Sequence, residues 1–195
     1  MRILIIGGTG FLGYHITKHL LDEGQEITLF NRGKTPDDFG TKVERISGDR
    51  YDGASFHNQL SGKSFDAVVD MISYQAADSQ LAVRTFSGKI DHYIHISTAA
   101  VYIITKDYPC PLREEDFDRE LYPKSRRKSG LWTYGYNKRK CEEVLFRAFK
   151  EHGFPVTIFR LPIVMGGRDH TLRPYSYFIR ILDGKPLIVP DGSLN

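Results

Sequence analysis

The segment Gly7–Gly13, GGTGFLG, follows directly on the apolar run Ile3–Ile6 and decides how the chain is read. Four of its seven residues are glycine, placed where a strand hands over to a helix. Glycine at position 7 permits a tight turn out of the strand, Gly10 lets the backbone come close to a pyrophosphate, and Gly13 lets the helix pack closely on the sheet. The helix N-terminus then offers free N–H groups and partial positive charge to an anion. The spacing is G-x-x-G-x-x-G rather than the commoner G-x-G-x-x-G, so its meaning rests on context: a strand before it, a helix after it, and a βαβ unit around both.

That context extends along the chain. Short β-branched runs at Arg2–Ile6, Glu26–Phe30, Val43–Ser47, Ala67–Met71, His92–Ser97 and Val156–Phe159 read as strands, nearly all apolar at their centres as in a sheet covered on both faces. Phe11, Leu12, His15, Ile16, His19 and Leu20 recur at helical spacing, with Gly24 ending that helix; further helices are expected over Gln75–Phe86 and Thr133–Glu151. The alternation predicts an α/β fold, a Rossmann-type doubly wound parallel sheet. Residues 105–131 interrupt it with three prolines and the basic run Lys124–Gly130, KSRRKSG, and read as a surface insertion with the freedom of a flap. The expected division is a dinucleotide-binding domain over 1–166 and, over 167–195, the beginning of a substrate-binding region, with one helix, one short strand and an Asp191-Gly192 turn that normally introduces more chain.

The bulk numbers bound the possibilities. The 195 residues suffice for one sizeable core, and 41% apolar with 26% charged residues is ordinary for a globular protein. A net charge of +3 makes no case for nucleic acid by itself. Cys110 and Cys141 stand in no metal-ligand spacing, so no metal is expected and reduced thiols are. The N-terminal apolar run is too short for a signal peptide or a span, which predicts a cytoplasmic location without membrane association.

About 20 residues past the glycines, where NAD sites place an acid on the adenosine ribose, stand Asn31 and Arg32. Asn hydrogen-bonds a hydroxyl without repelling phosphate, and Arg pairs with a 2′-phosphate, so NADP is favoured over NAD. Tyr134 and Lys138 lie four positions apart and share a helix face with Cys141, Leu145 and Ala148. An ammonium beside a phenol favours the phenolate and is expected to draw the Tyr pKa down toward working pH. Thr98, in HISTAAVY (His95–Tyr102), adds a hydroxyl at the C-terminal edge of a strand, where doubly wound sheets bind ligands.

GGTGFLG, STAAVY and YGYNK, in that order, resemble the extended short-chain dehydrogenase/reductase family of sugar-nucleotide epimerases and dehydratases, over Met1 to about Gly166. The resemblance implies that Gly7, Gly10 and Gly13 bind the cofactor pyrophosphate, that Asp49 contacts the adenine, and that Thr98, Tyr134 and Lys138 are catalytic, the lysine also holding the nicotinamide ribose. Thr9, Phe11, Leu12, Asn31, Arg32, Met71, Ile72 and Leu161 complete the implied cofactor set, and a homodimer built through two helices of each subunit is implied as well. The chain departs from the family at Asn31, at the strand end Asp70-Met71-Ile72-Ser73, which is commonly rich in Ala or Gly, and in the long interval between Thr98 and Tyr134. FNRGKT with YFIRILDGKPLIVPDG also resembles an atypical branch that includes plant chloroplast stem-loop RNA-binding proteins.

The leading expectation is NAD(P)-dependent hydride transfer at a carbinol or keto carbon of a sugar nucleotide, with Tyr134 as acid/base; epimerisation, dehydration and reduction share that first step. One alternative is an NADP-binding or RNA-binding protein of the same fold without chemistry, supported by Lys124, Arg126, Arg127 and Lys128 between Tyr122 and Trp132. Another is a reductase of small carbonyl compounds.

Overall fold

The computed structural model describes residues 1–107, 109–124 and 129–187. Six strands, β1 (Arg2–Ile6), β2 (Glu26–Asn31), β3 (Val43–Ser47), β4 (Ala67–Asp70), β5 (His92–Thr98) and β6 (Val156–Leu161), form one sheet in the order β3-β2-β1-β4-β5-β6. Every pair is parallel, with Ile6 opposite both Phe30 and Asp70, and Thr98 opposite Leu161. The order reverses between β1 and β4, which opens a crevice at the carboxyl ends of those strands.

The strands are apolar throughout because side chains alternate between two buried faces. Leu4 and Ile6 enter a core with Phe56, Phe86 and Leu145, whereas Ile3 and Ile5 enter another with Tyr14, Ile27 and Val69. Helix α1 (Phe11–Asp22) covers the second core; α2 (Gly53–Leu60), α3 (Ala76–Phe86) and α5 (Ser129–His152) cover the first, with the short α4 (Ala100–Ile103) following β5 and α6 (Arg173–Leu182) coming last. Gly24, at φ 74°, directly follows the C-cap of α1 and turns the chain into β2.

The expected strands and long helices are present, with shifted ends. β4 stops at Asp70, not Met71, because the Asp70 carboxylate accepts the Ile72 N–H at 3.1 Å and turns the backbone. Helix α5 starts at Ser129 rather than Thr133: Trp132 stacks on Tyr136 one turn later, 4.8 Å between centroids, and its indole donates to the Tyr122 carbonyl, which extends the helix backward. Helix α2 was not legible, being short and mostly polar; Asp52 nucleates it by accepting the Ser55 N–H.

Among the described residues of 105–131 the insertion is not a free flap. Phe117 is buried against Val101 and Tyr102, Thr105 bridges Leu121, and the Arg139 guanidinium donates to the carbonyls of Val101 and Phe117. The loop carries enough apolar surface to dock, and Arg139 of α5 meets its Phe117 carbonyl. The short strand and turn expected near the end of the sequence fall mainly within 188–195, outside the described residues.

Candidate functional site

Two cavities lie end to end along the crevice. One, of about 300 Å³, runs from Gly7 and Gly10 outward past Asn31, Arg32 and Asp49; the other, of about 360 Å³, runs inward past Leu12, Met71, Thr98 and Tyr134. Thr9 also lines the first, and Phe11, Gly13 and Leu161 the second. Ile72 lines both. The structure thus gathers every sequence-expected residue along one cleft except Lys138, which lies beneath it.

The glycines act differently. Gly7 sits at φ 90°, and its N–H donates to the Phe30 carbonyl at 3.0 Å as the chain leaves the sheet. A Cβ on Gly13 would stand 2.5 Å from the Gly7 carbonyl oxygen, so α1 approaches the turn as closely as only glycine allows. A Cβ on Gly10 would meet nothing within 4 Å, because that position faces the cleft. Gly10 is the N-cap of α1, with no side-chain cap and no acid in the first turn, so the helix presents bare N–H groups to that space. A pyrophosphate fits this cradle in size and charge. Gly13→Ala is therefore expected to cost about 1–3 kcal/mol through backbone overpacking, and Gly10→Ala less than about 1 kcal/mol through its cap. Urea melts of the two variants check this, and similar losses would mean the glycines are not so divided.

At the outer end, the Asn31 side-chain oxygen Oδ1 accepts the Gly33 N–H at 2.8 Å, leaving the side-chain amide nitrogen buried without a protein partner. This end offers a donor where an acid would have offered an acceptor. Arg32 approaches Asp49 at 3.9 Å, both about half exposed, a pairing worth little against solvent. Lys34 and Thr35 also line this cavity and were missed in the sequence, since nothing in the FNRGKT turn marks a lysine that faces a ligand.

Beneath this cavity lies a buried polar layer that the sequence did not reveal. The Arg50 guanidinium, 3% exposed, donates to the Asp70 carboxylate at 2.8 Å and the Asp78 carbonyl at 2.7 Å, over the ring of Phe56. Asp70 is fully buried and also accepts the Tyr93 hydroxyl at 2.6 Å. Burial and the Asp70 charge push the Tyr93 phenol well above its ordinary value, keeping it a donor. These contacts tie the exits of β3 and β4 to α3 and β5, and so fix the walls of the cavity.

At the inner end, Gly135 lets α5 approach α4: its Cβ would lie 2.6 Å from the Ala100 carbonyl oxygen. The preceding residue, Tyr134, thereby faces Thr98 at the end of β5 in the inner cavity, where the Thr98 hydroxyl favours the phenolate. Thr98 Oγ1 accepts the Ala100 N–H at 3.2 Å, so it holds the turn into α4 while lining the cleft. The expectation that Lys138 draws the Tyr134 pKa down is not met. Burial raises the phenol above its ordinary value, and the Thr98 hydroxyl opposes this only in part. Lys138, 1% exposed, donates instead to the Ser73 carbonyl at 2.8 Å and the Ile96 carbonyl at 2.6 Å, and burial lowers its own pKa. The ammonium is drawn to backbone oxygens because, with no water around it, each N–H needs an acceptor.

Of the basic cluster, Lys124 lies 5.8 Å over Trp132, whose ring is also stacked on Tyr136, and Arg126, Arg127 and Lys128 lie outside the described residues. Among the described residues no helix is long and apolar enough to cross a membrane, and no group of three His, Cys, Asp or Glu side chains is placed to hold a metal.

This geometry has counterparts. The sequence profile of the NAD dependent epimerase/dehydratase family matches residues 3–193. The chloroplast stem-loop binding protein of 41 kDa b from Arabidopsis thaliana is 30% identical over 206 residues, covering 99% of this chain and 50% of that protein. Among solved structures, Bordetella bronchiseptica WbmG in complex with NAD and UDP superposes with a TM-score of 0.74 at 22% identity, over 96% of this chain and 61% of that one. UDP-glucose 4-epimerase from Thermotoga maritima, with UDP-glucose, gives 0.74 at 20% identity, over 98% and 67%. The chain spans about half the length of the curated relative it matches over nearly its whole length.

Proposed function

The chain belongs to the NAD dependent epimerase/dehydratase family, and from that premise we propose that it forms the dinucleotide-binding part of an oxidoreductase acting at a carbinol or keto carbon of a sugar nucleotide. The observation that carries this reading is one cleft joining a glycine cradle over a bare helix N-terminus to Thr98 and Tyr134, which line its inner end together. When bound, the dinucleotide supplies the hydride chemistry. Tyr134 holds and moves the proton at the substrate oxygen, and Thr98 orients the phenol and hydrogen-bonds that same oxygen. Lys138 secures the floor, joining the carbonyls of Ser73 and Ile96 under the inner cavity. Residues 167–195 begin a substrate-binding region, with His170 of that stretch already lining the inner cavity.

NADP is proposed over NAD. The support is the unpartnered Asn31 amide nitrogen, the loosely held Arg32 and the neighbouring Lys34, all donors or cations at the ribose end. Arg32→Ala is expected to weaken NADPH binding about tenfold and leave NADH within twofold, since a partly exposed phosphate contact is worth roughly 1–2 kcal/mol. Titrating both nucleotides into both proteins checks it; equal constants throughout would remove Arg32 from the site. The broader reading is tested by identifying the nucleotide that co-purifies with the native protein by mass spectrometry, then screening sugar nucleotides for absorbance change at the reduced-nicotinamide band. A protein that takes up no nicotinamide dinucleotide at millimolar concentration overturns it.

A further inference from the structure

The two cavities of the cleft share four residues: Gly7, Gly10, Ile72 and Tyr74. Gly7 and Gly10 form the cradle; Ile72 and Tyr74 come from the turn that leaves β4. Tyr74 alone among the four carries a polar side chain, so the junction where a pyrophosphate would pass is lined by one side chain able to donate a hydrogen bond. The residue is held as a fixed fixture rather than a loose surface tyrosine. Its N–H donates to the Asp78 carboxylate at 2.8 Å, and the N–H of Gln75 donates to the same oxygen at 2.9 Å, the capping box of α3. The ring lies 5.7 Å from the buried Lys138 ammonium, and 40% of the residue remains exposed to the cleft and solvent. Tyr134 lines the inner cavity and Tyr51 the outer, and Tyr74 lines both. Burial raises the Tyr74 phenol above its ordinary value, which keeps it a proton donor.

We propose that Tyr74 is a positioning residue for the dinucleotide, its hydroxyl donating a hydrogen bond to the pyrophosphate–ribose bridge across from the α1 N-terminus and so fixing how far the reactive ring extends toward Tyr134. The inference rests on the dinucleotide reading above, and its test separates the two. Tyr74→Phe keeps the ring and removes only the hydroxyl. Dissociation constants of wild type and Tyr74→Phe are to be measured by calorimetry for NADPH, for ADP-ribose, which has the bridge but no nicotinamide, and for AMP, which has no bridge. The expected result is a loss of about tenfold for NADPH and ADP-ribose, as for a hydrogen bond to a charged group, with AMP within twofold. Unchanged constants for NADPH and ADP-ribose overturn the proposal while leaving the dinucleotide reading intact, and so does an equal loss on all three ligands, which would mark a role in folding alone. Wild type that binds none of the three overturns both.

Discussion

Tyr134→Phe is expected to lower turnover by about 10²–10⁴-fold, the range typical of a lost general acid, while leaving dinucleotide affinity within about twofold. Tyr134 lines the inner cavity beside Thr98, and the glycine cradle and ribose end lie along the outer one. Removing one hydroxyl leaves the ring, and with it the packing of α5 beside α4, in place. The pH profile supplies a second readout. Burial holds the Tyr134 phenol above its ordinary value, and Lys138, bonded to two carbonyls, does not bring it down. A phenol stays protonated below its pKa, so Tyr134 is a proton donor from about pH 6 to 9. In the carbonyl-reducing direction the chemical step should then show no fall over that range from this group. Steady-state rates with the substrate found by the sugar-nucleotide screen, together with nucleotide titrations, check both parts; full activity in Tyr134→Phe would end its assignment.

Asp70→Asn should be the most damaging isosteric change for stability. Asp70 is fully buried and accepts from Arg50, Tyr93 and the Ile72 N–H, while Arg50 is 3% exposed. Neutralising the carboxylate leaves a buried guanidinium with only the longer pairing to Asp78 at 3.9 Å, a loss of about 3–5 kcal/mol. For a chain of this size that is roughly 10 °C in melting temperature. Replacing both partners, Arg50→Met with Asp70→Leu, removes the charge as well as its partner and should cost less than the single change. Urea denaturation of the three proteins decides it. A single variant within about 1 kcal/mol of wild type would mean that the layer does not hold the cavity walls. If it does hold them, Asp70→Asn also weakens nucleotide binding, because the turns carrying Asp49, Tyr51 and Tyr74 are moored to it.

These two residues differ in how visible they were. Tyr134 stood out because its four-residue spacing from Lys138 is a local property of one helix. Asp70 could be read as an odd residue at a strand end, but Arg50, Tyr93 and Asp78 come from other elements, and only the strand order brings them together. Lys138 shows the intermediate case. Its position was legible; its partners were not, because the carbonyls of Ser73 and Ile96 belong to two separate strand exits. The phenol's raised pKa comes from its own burial, which an ammonium committed elsewhere does not offset. Tyr74, Lys34 and Gly135 were overlooked for the same reason: a tyrosine, a lysine and a glycine in their own local sequence carry no mark of the surface they face.

By itself, the order of residues determined the alternation of apolar strands and amphipathic helices, the turn that glycine alone permits at Gly7, and the pairing of Tyr134 with Lys138 on one helical face, since each depends on backbone periods and sterics acting within a few residues. Tertiary structure decided which polar groups are buried together, where the Lys138 charge is spent, and which side chains meet at the junction of the two cavities. Those outcomes depend on solvent exclusion and on contacts between strands adjacent in the sheet but distant in the chain, and no local pattern encodes either.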